Sequence, residues 1–467
     1  MVVGARPGRR WVRLGLAVAV LAAVLASSAS VLATTAPGLV PGLGERLVPP
    51  PPPPVPRPVL QPLSAQAPTP TRAGLAAALS RPAAAVPGRF GAVVVDPATG
   101  AVLWENEADR PFVPGSTGKI LTVSAVLLTL DATDTLVTRV YAGQEPGTVV
   151  LVGGGDPTLT ALPDGEQGVY PDPPRLADLA AQVERASPAP VTRVLIDTTL
   201  FTGPVLAQDW VPADVPAGYV APITALMIDG GRIDPKQQDG QRVQDPALAA
   251  GRALAELLDA DPDQVAETMV TPDADVLGSV SSAPIIELVE HTLRSSDNVL
   301  AEALARQVAL ARSAEPSFVG AAAQVVAALE QEGFDVSGAV LVDGSGLSTV
   351  NRIPAGLLGA LLAAAAAPAT GPGAAEPLRP VLTGLSVAGG DGTLGDRFGP
   401  GGPTAAGRGV VRAKTGTLTG ASSLAGVVTD ADGRLLVFAL ISNGAGTAAV
   451  RPRLDAVAAT LTTCGCR

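Results

Sequence analysis

Histidine is almost missing from this chain, and the absence narrows its chemistry. His291 is the single histidine among 467 residues. A His-rich metal site cannot be assembled from that stock. A Ser-His-Asp relay would need His291 itself as base, and His291 reads as a residue of an ordinary amphipathic helix. Cysteine is scarce as well: Cys464 and Cys466 are the only two. A bond between residues two apart is strained. The sequence therefore leaves free thiols, a strained loop or an intermolecular link, and no catalytic thiol. Lysine is rare too. Lys119, Lys236 and Lys414 are the only ones, so nearly all cations are Arg. Arg stays protonated in a protein, whereas a desolvated Lys can act as a base. A chain this biased keeps Lys where Arg cannot serve. Positive charge is in deficit overall: the net charge is -11. That argues against nucleic acid and against binding to a membrane surface through a basic patch. An anionic substrate would need a local cation.

What is present is aliphatic. The hydrophobic share is 47%, and only 3% of residues are aromatic. That supports a sizeable core, and the length implies more than one domain. Arg6, Arg9, Arg10 and Arg13 precede an apolar stretch from Leu14 to Ala33. Basic residues before an apolar segment direct export. A cleavable signal peptide and an uncleaved membrane anchor both fit residues 1–36, since roughly 20 residues would also span a bilayer. A proline run, Pro49 to Pro54, with Pro56, Pro58, Pro62, Pro68 and Pro70, makes residues 37–74 a stiff spacer.

The folded part is expected from Leu75. Phe90 to Val95 and Ala101 to Glu105 flank Asp96-Pro97-Ala98-Thr99-Gly100 and predict a hairpin. A helix is expected from about Ser116 to Leu130. Residues 137–276 change to short strands, Gly/Pro turns and two helical pieces, Arg175 to Ala186 and Pro246 to Leu258, and read as an inserted accessory domain. Helical patterns resume at Ile285, Val299, Gly320 and Ala355. Strands are expected at Val410 to Ala413, Ser423 to Thr429 and Leu435 to Ser442, before a helix from Arg451. The fold class implied is α/β (α+β), with an antiparallel sheet. Residues 75–136 and 277–467 form the main domain around the insert.

Three short elements carry chemistry. Ser116-Thr117-Gly118-Lys119 is S-x-x-K: three residues is almost one helical turn, so both side chains share a face. A serine hydroxyl needs a base, and a neutral lysine amine is one. A phosphate loop does not fit here. Val113 stands where it needs Gly, and Ile120 where it needs Ser or Thr. Ser296-Asp297-Asn298 is S-x-N, between two helical stretches; alone it reads as a helix cap. Ser296 can relay a proton between Lys119 and a leaving amine, and Asn298 can orient Lys119 and a substrate amide. Lys414-Thr415-Gly416, followed by Thr417, is K-T-G on a strand. Lys414 and the threonine hydroxyls can hold a carboxylate, and Gly416 leaves room for a substrate backbone. Together, and in this order, the three form the set found in serine enzymes that react with β-lactams.

With these motifs the chain resembles the D-alanyl-D-alanine carboxypeptidases/endopeptidases similar to penicillin-binding protein 4, over about Leu75 to Leu461. Gly153-Gly154-Gly155-Asp156-Pro157, Asp343-Gly344-Ser345-Gly346-Leu347-Ser348, Asn351-Arg352, Ala301-Glu302 and Gly392-Thr393-Leu394 resemble that family's as well. Gly115 departs from it, where Ala is commoner. The resemblance implies a penicillin-binding, β-lactamase-like domain outside the cytoplasmic membrane, with no cofactor and no metal. It implies a peptidoglycan stem peptide ending in D-Ala-D-Ala as substrate and β-lactams as inhibitors. Membrane contact would run through the N-terminal segment if that is retained. By the resemblance Ser116 is the nucleophile, Lys119 its base and Ser296 the relay. Asn298, Lys414, Thr415, Gly416 and Thr417 bind substrate, with Lys414 and Thr415 contacting the terminal carboxylate or polarising Ser296, and the Ser116 and Thr417 N–H groups form the oxyanion hole. A β-lactamase or esterase of the same fold, and a non-catalytic wall-binding scaffold, are the competing expectations.

Overall fold

A computed structural model of the chain describes residues 64, 66–369 and 375–467. The expected export segment lies outside the described residues, as does most of the Pro-rich spacer. No helix among the described residues is long and apolar enough to cross a membrane.

Helix α1 (Arg72–Ala84) starts where Thr71 accepts a hydrogen bond from the Gly74 N–H, one of the donors a helix start leaves unpaired. The expected hairpin follows as β1 (Arg89–Asp96) and β2 (Ala101–Asn106). Asp96 holds its turn by accepting from the Ala98 N–H at 3.1 Å and the Thr99 hydroxyl at 2.9 Å. The two strands join β10 (Ser386–Val387), β11 (Arg412–Leu418), β12 (Ala421–Thr429) and β13 (Leu435–Asn443) in an antiparallel sheet of order β10-β11-β12-β13-β1-β2.

Strand β1 shows why this sheet is central. Successive side chains point to opposite faces, and here both faces are buried. Val93 and Val95 join one core with α2 (Lys119–Thr129) and α8 (Ala355–Ala366). Ala92 and Val94 join another with Leu75 and Leu79 of α1 and Leu454 and Val457 of α9 (Thr447–Thr462). The result is three layers, helix on sheet on helix.

The segment from 137 onward builds a second sheet with its own core. Its strands are β4 (Val137–Ala142), β5 (Thr148–Val152), β6 (Arg193–Asp197), β7 (Ala266–Glu267) and β8 (Val276–Ser281), in the order β7-β6-β5-β4-β8. β5, β6 and β7 run parallel. α3 (Leu176–Ala186) and α4 (Pro246–Leu257) cover it, packing Leu179, Val183 and Leu254 on Val149, Leu151 and Ile196. The residues between β6 and α4 form long loops that fold back on the main domain. There Trp210, Val220 and Met227 share a core with Val299 of α6 (Asn298–Ala311) and Phe318 of α7 (Phe318–Gln331). α5 (Ile285–Ser295) leads into α6.

Candidate active site

Ser116 does not begin an α-helix. Gly115–Gly118 is a tight 3-10 turn, and α2 starts at Lys119. The reason is Gly115, whose φ of 55° lies in the left-handed region that an α-helix cannot contain. Three residues per turn still stack Ser116 and Lys119 on one side. The turn rests on β11 and β12. The Thr117 hydroxyl donates to the Pro114 carbonyl at 2.8 Å and meets the Ser423 hydroxyl at 3.0 Å. A Cβ on Gly115 would stand 2.9 Å from the Thr417 nitrogen, and one on Gly416 would collide with the Ser423 hydroxyl and the Pro114 carbonyl. Gly416 therefore makes room for the Ser116 turn itself.

Lys119 is entirely buried. Its Nζ donates to Ser116 Oγ at 3.2 Å, Asn298 Oδ1 at 2.5 Å and the Ser345 carbonyl at 2.7 Å. Burial pushes its pKa down to about 8, against the opposing charges of Asp343, Asp297 and Glu302. The Ser345 carbonyl is fixed by carboxylates beneath it. Glu302 accepts from the Gly344 and Ser345 N–H groups, the latter at 2.7 Å. Asp343 accepts from the N–H groups of Gly346 (2.8 Å) and Ser348 (2.6 Å), from Asn351 Nδ2 (2.8 Å) and from Trp210 Nε1 (2.9 Å). Burial pushes Glu302 up to about 7.

The S-x-N element sits at the break between α5 and α6. Ser296 ends α5 with a φ of 61°, and the Asp297 carboxylate caps α6 by accepting from the Leu300 N–H at 2.9 Å. Ser296 Oγ accepts from Lys414 Nζ at 2.8 Å. The structure thus bonds Ser296 to Lys414 and Lys119 to Asn298, rather than Ser296 to Lys119. Lys414 also donates to the Thr415 carbonyl at 2.9 Å and is entirely buried. Burial, then the neighbouring Lys119, push its pKa well below the ordinary lysine value. Its amine is turned inward on Ser296, away from the role of an open carboxylate-binding cation. Thr415 points to the other side, its hydroxyl donating to Thr393 Oγ1 at 2.9 Å. Thr417 Oγ1 accepts from Arg451 Nη2 at 2.9 Å.

The insert reaches this centre, which sequence reasoning did not foresee. Arg232 forms a buried ion pair with Asp297 at 2.9 Å, and the Tyr170 hydroxyl donates to the same oxygen at 3.1 Å. Burial opposes the Asp297 charge, but Arg232 and Arg242 outweigh it and hold the carboxyl well below the usual range. Asn298 Nδ2 donates to the Tyr219 carbonyl at 2.8 Å. The motif Asp297-Asn298 was a visible signal; its partners in the insert carried none.

Other expectations fall into structural roles. His291 is a residue of α5 whose ring is tilted against that of Tyr170, 5.3 Å away, and neither Ser116 nor Lys119 bonds to it. Cys464 and Cys466 pair with each other, so the close loop is the form adopted. The Cys466 carbonyl accepts from the Thr71 N–H at 2.7 Å beside α1. Asp156 holds a turn by accepting from the Thr158 N–H at 2.8 Å, and Arg352 donates to the carbonyls of Thr349, Val350 and Asn351. Lys236 pairs with Glu166 on the surface.

A central antiparallel sheet between helices, with a serine turn laid on its β11 strand, is the penicillin-binding, β-lactamase-like fold. It is similar to penicillin-binding protein 4 (DacB) from Haemophilus influenzae, with a TM-score of 0.65 and 20% identity, over 81% of this chain and 97% of that one. Residues 72–241 and 234–464 match the D-Ala-D-Ala carboxypeptidase 3 (S13) family, and the chain belongs to that family. Carboxypeptidase DacB of Mycolicibacterium smegmatis is 46% identical over 412 residues, 87% of each chain. A carboxypeptidase of Mycobacterium tuberculosis is 45% identical over 408 residues, again 87% of each. The protein is accordingly a serine-type D-Ala-D-Ala carboxypeptidase, a hydrolase.

Proposed function

We propose that this carboxypeptidase works through an acyl-enzyme on Ser116, with peptidoglycan stem peptides ending in D-Ala-D-Ala as its substrates. The observation that carries the reading is the buried Lys119 amine, 3.2 Å from Ser116 Oγ, with a pKa lowered to about 8. A neutral amine there takes the hydroxyl proton as Oγ attacks the penultimate D-Ala carbonyl carbon. The backbone N–H groups of Ser116 and Thr417 stabilise the oxyanion. Asn298 orients Lys119 and the substrate amide. The C–N bond breaks, and the proton reaches the departing D-Ala nitrogen through Ser296, which Lys414 polarises. Water then cleaves the ester.

Among the described residues no carboxylate hydrogen-bonds Ser116 or Lys119. That favours a long-lived acyl-enzyme with β-lactams, which mimic the D-Ala-D-Ala end, over a β-lactamase. A solved structure of the Haemophilus influenzae penicillin-binding protein 4 is complexed with a β-lactam. The basic and apolar N-terminal segment supports a place outside the cytoplasmic membrane, secreted or anchored. The reading is tested by D-Ala release from an acyl-D-Ala-D-Ala peptide. Ser116→Ala is expected to lower it by about 10⁴-fold or more. Release that persists in a folded Ser116→Ala protein would sink the assignment.

A further inference from the structure

The carboxypeptidase reaction requires recognition of a free terminal carboxylate, and the protein carries a net charge of -11. A local cation would offset that charge at the cleft. Neither motif lysine is available for this. Lys119 and Lys414 are entirely buried, and each spends its hydrogen bonds on the protein.

We infer that Arg451 is the residue that recognises the substrate's terminal carboxylate, acting with Thr417 and Thr415. The inference rests on Ser116 being the acylated residue. Arg451 lies on α9 and is exposed. Its Nη2 donates to the hydroxyl of Thr417, the residue one step beyond K-T-G, at 2.9 Å. Thr415 and Thr417 are two apart on β11 and so share a face, opposite to that of Lys414 and Gly416. The three side chains thus form a polar row at the end of β11, a strand whose backbone at Thr417 lies against the Ser116 turn at Gly115. A guanidinium has five N–H donors, so Arg451 keeps donors to spare after serving Thr417.

Arg451 makes no close ion pair among the described residues, and Asp455 feels its charge only at longer range. Asp455, one turn further along α9, is paired with Arg397. Arg412 shares β11 but sits at its other end, opposite Val387 and Val427. A planar guanidinium matches a carboxylate in two parallel hydrogen bonds and keeps its charge at any working pH. The two buried lysines can then serve proton transfer, while the exposed guanidinium serves recognition.

The test compares benzylpenicillin with its methyl ester, which keeps the reactive lactam and removes the negative charge. Acylation rates are followed by intact mass on the full chain. In Arg451→Gln the rate with the acid is expected to fall by about 10- to 100-fold, with a much smaller fall for the ester, so that the acid-to-ester ratio collapses. Arg451→Lys is expected to recover part of that ratio, which a merely structural role would not produce. An unchanged ratio in Arg451→Gln overturns the inference while leaving Ser116 in place. No adduct from either probe on the wild type would instead bring down the acyl-enzyme reading, and this inference with it.

Discussion

Replacing Lys119 by Met is expected to slow acylation of Ser116 by about 10³-fold or more, the upper range for loss of a positioned general base. Met fills the same buried channel with an apolar stem, so a folded protein with an intact serine remains. What disappears is the amine that touches Ser116 Oγ, Asn298 and the Ser345 carbonyl. The pH profile separates this from simple misfolding. With a pKa of about 8, only about one Lys119 amine in ten is neutral at pH 7. The wild-type acylation rate should climb about tenfold per pH unit below that value and level off above it. Lys119→Met should show no such limb.

Stability follows the same group. The folded pKa of Lys119 is lower than its ordinary value of 10.5. Between these two values the unfolded chain binds more protons than the fold, so stability rises with pH across that window. The penalty for charging Lys119 is fully present below about pH 8. Urea unfolding at pH 7 and pH 10 should show the gain in the wild type and a smaller one in Lys119→Met. The same gain in both would assign it to other groups.

Arg232→Met is expected to destabilise the fold by about 3–5 kcal/mol, because it leaves a buried carboxylate without its cation. Both partners of the Arg232–Asp297 pair are essentially sealed from solvent, at 0% and 1% side-chain exposure. Asp297 lies between Ser296 and Asn298 and caps α6, so its misplacement should also slow acylation. The pair's contribution is present above the ordinary carboxylate range, where Asp297 is ionised in both states, and is lost as pH falls through its depressed folded value. The double variant Arg232→Met, Asp297→Asn removes both charges and should recover part of the lost stability. Thermal melts of the two variants check this. A single variant that melts with the wild type would contradict a structural role for the pair.

The residues legible in the sequence were those whose chemistry is local. Ser116 and Lys119 are three apart, Ser296 and Asn298 two apart, and Lys414 to Thr417 consecutive. The amphipathic helices and the β1–β2 hairpin were legible because their periodicity or turn residues are local as well. The misses are conformational or long-range. The helix at Ser116 was drawn about three residues early because nothing local showed that Gly115 takes a positive φ. Ser345 contributes a backbone carbonyl, which any residue type has, so its approach to Lys119 left no mark. Tyr170, Arg232 and Tyr219 reach the S-x-N element from loops of the insert, across 127, 65 and 79 residues of chain. For Lys414 the sequence left two directions open, outward to a carboxylate or inward to Ser296, because the choice is decided by burial that composition does not reveal; the amine lies on Ser296.

Acylation of Ser116 is read out by intact mass after incubation with benzylpenicillin. A lasting adduct of one equivalent is expected on the wild type and none on Ser116→Ala. A folded wild-type protein that neither gains the adduct nor turns over the penicillin would contradict acylation of Ser116.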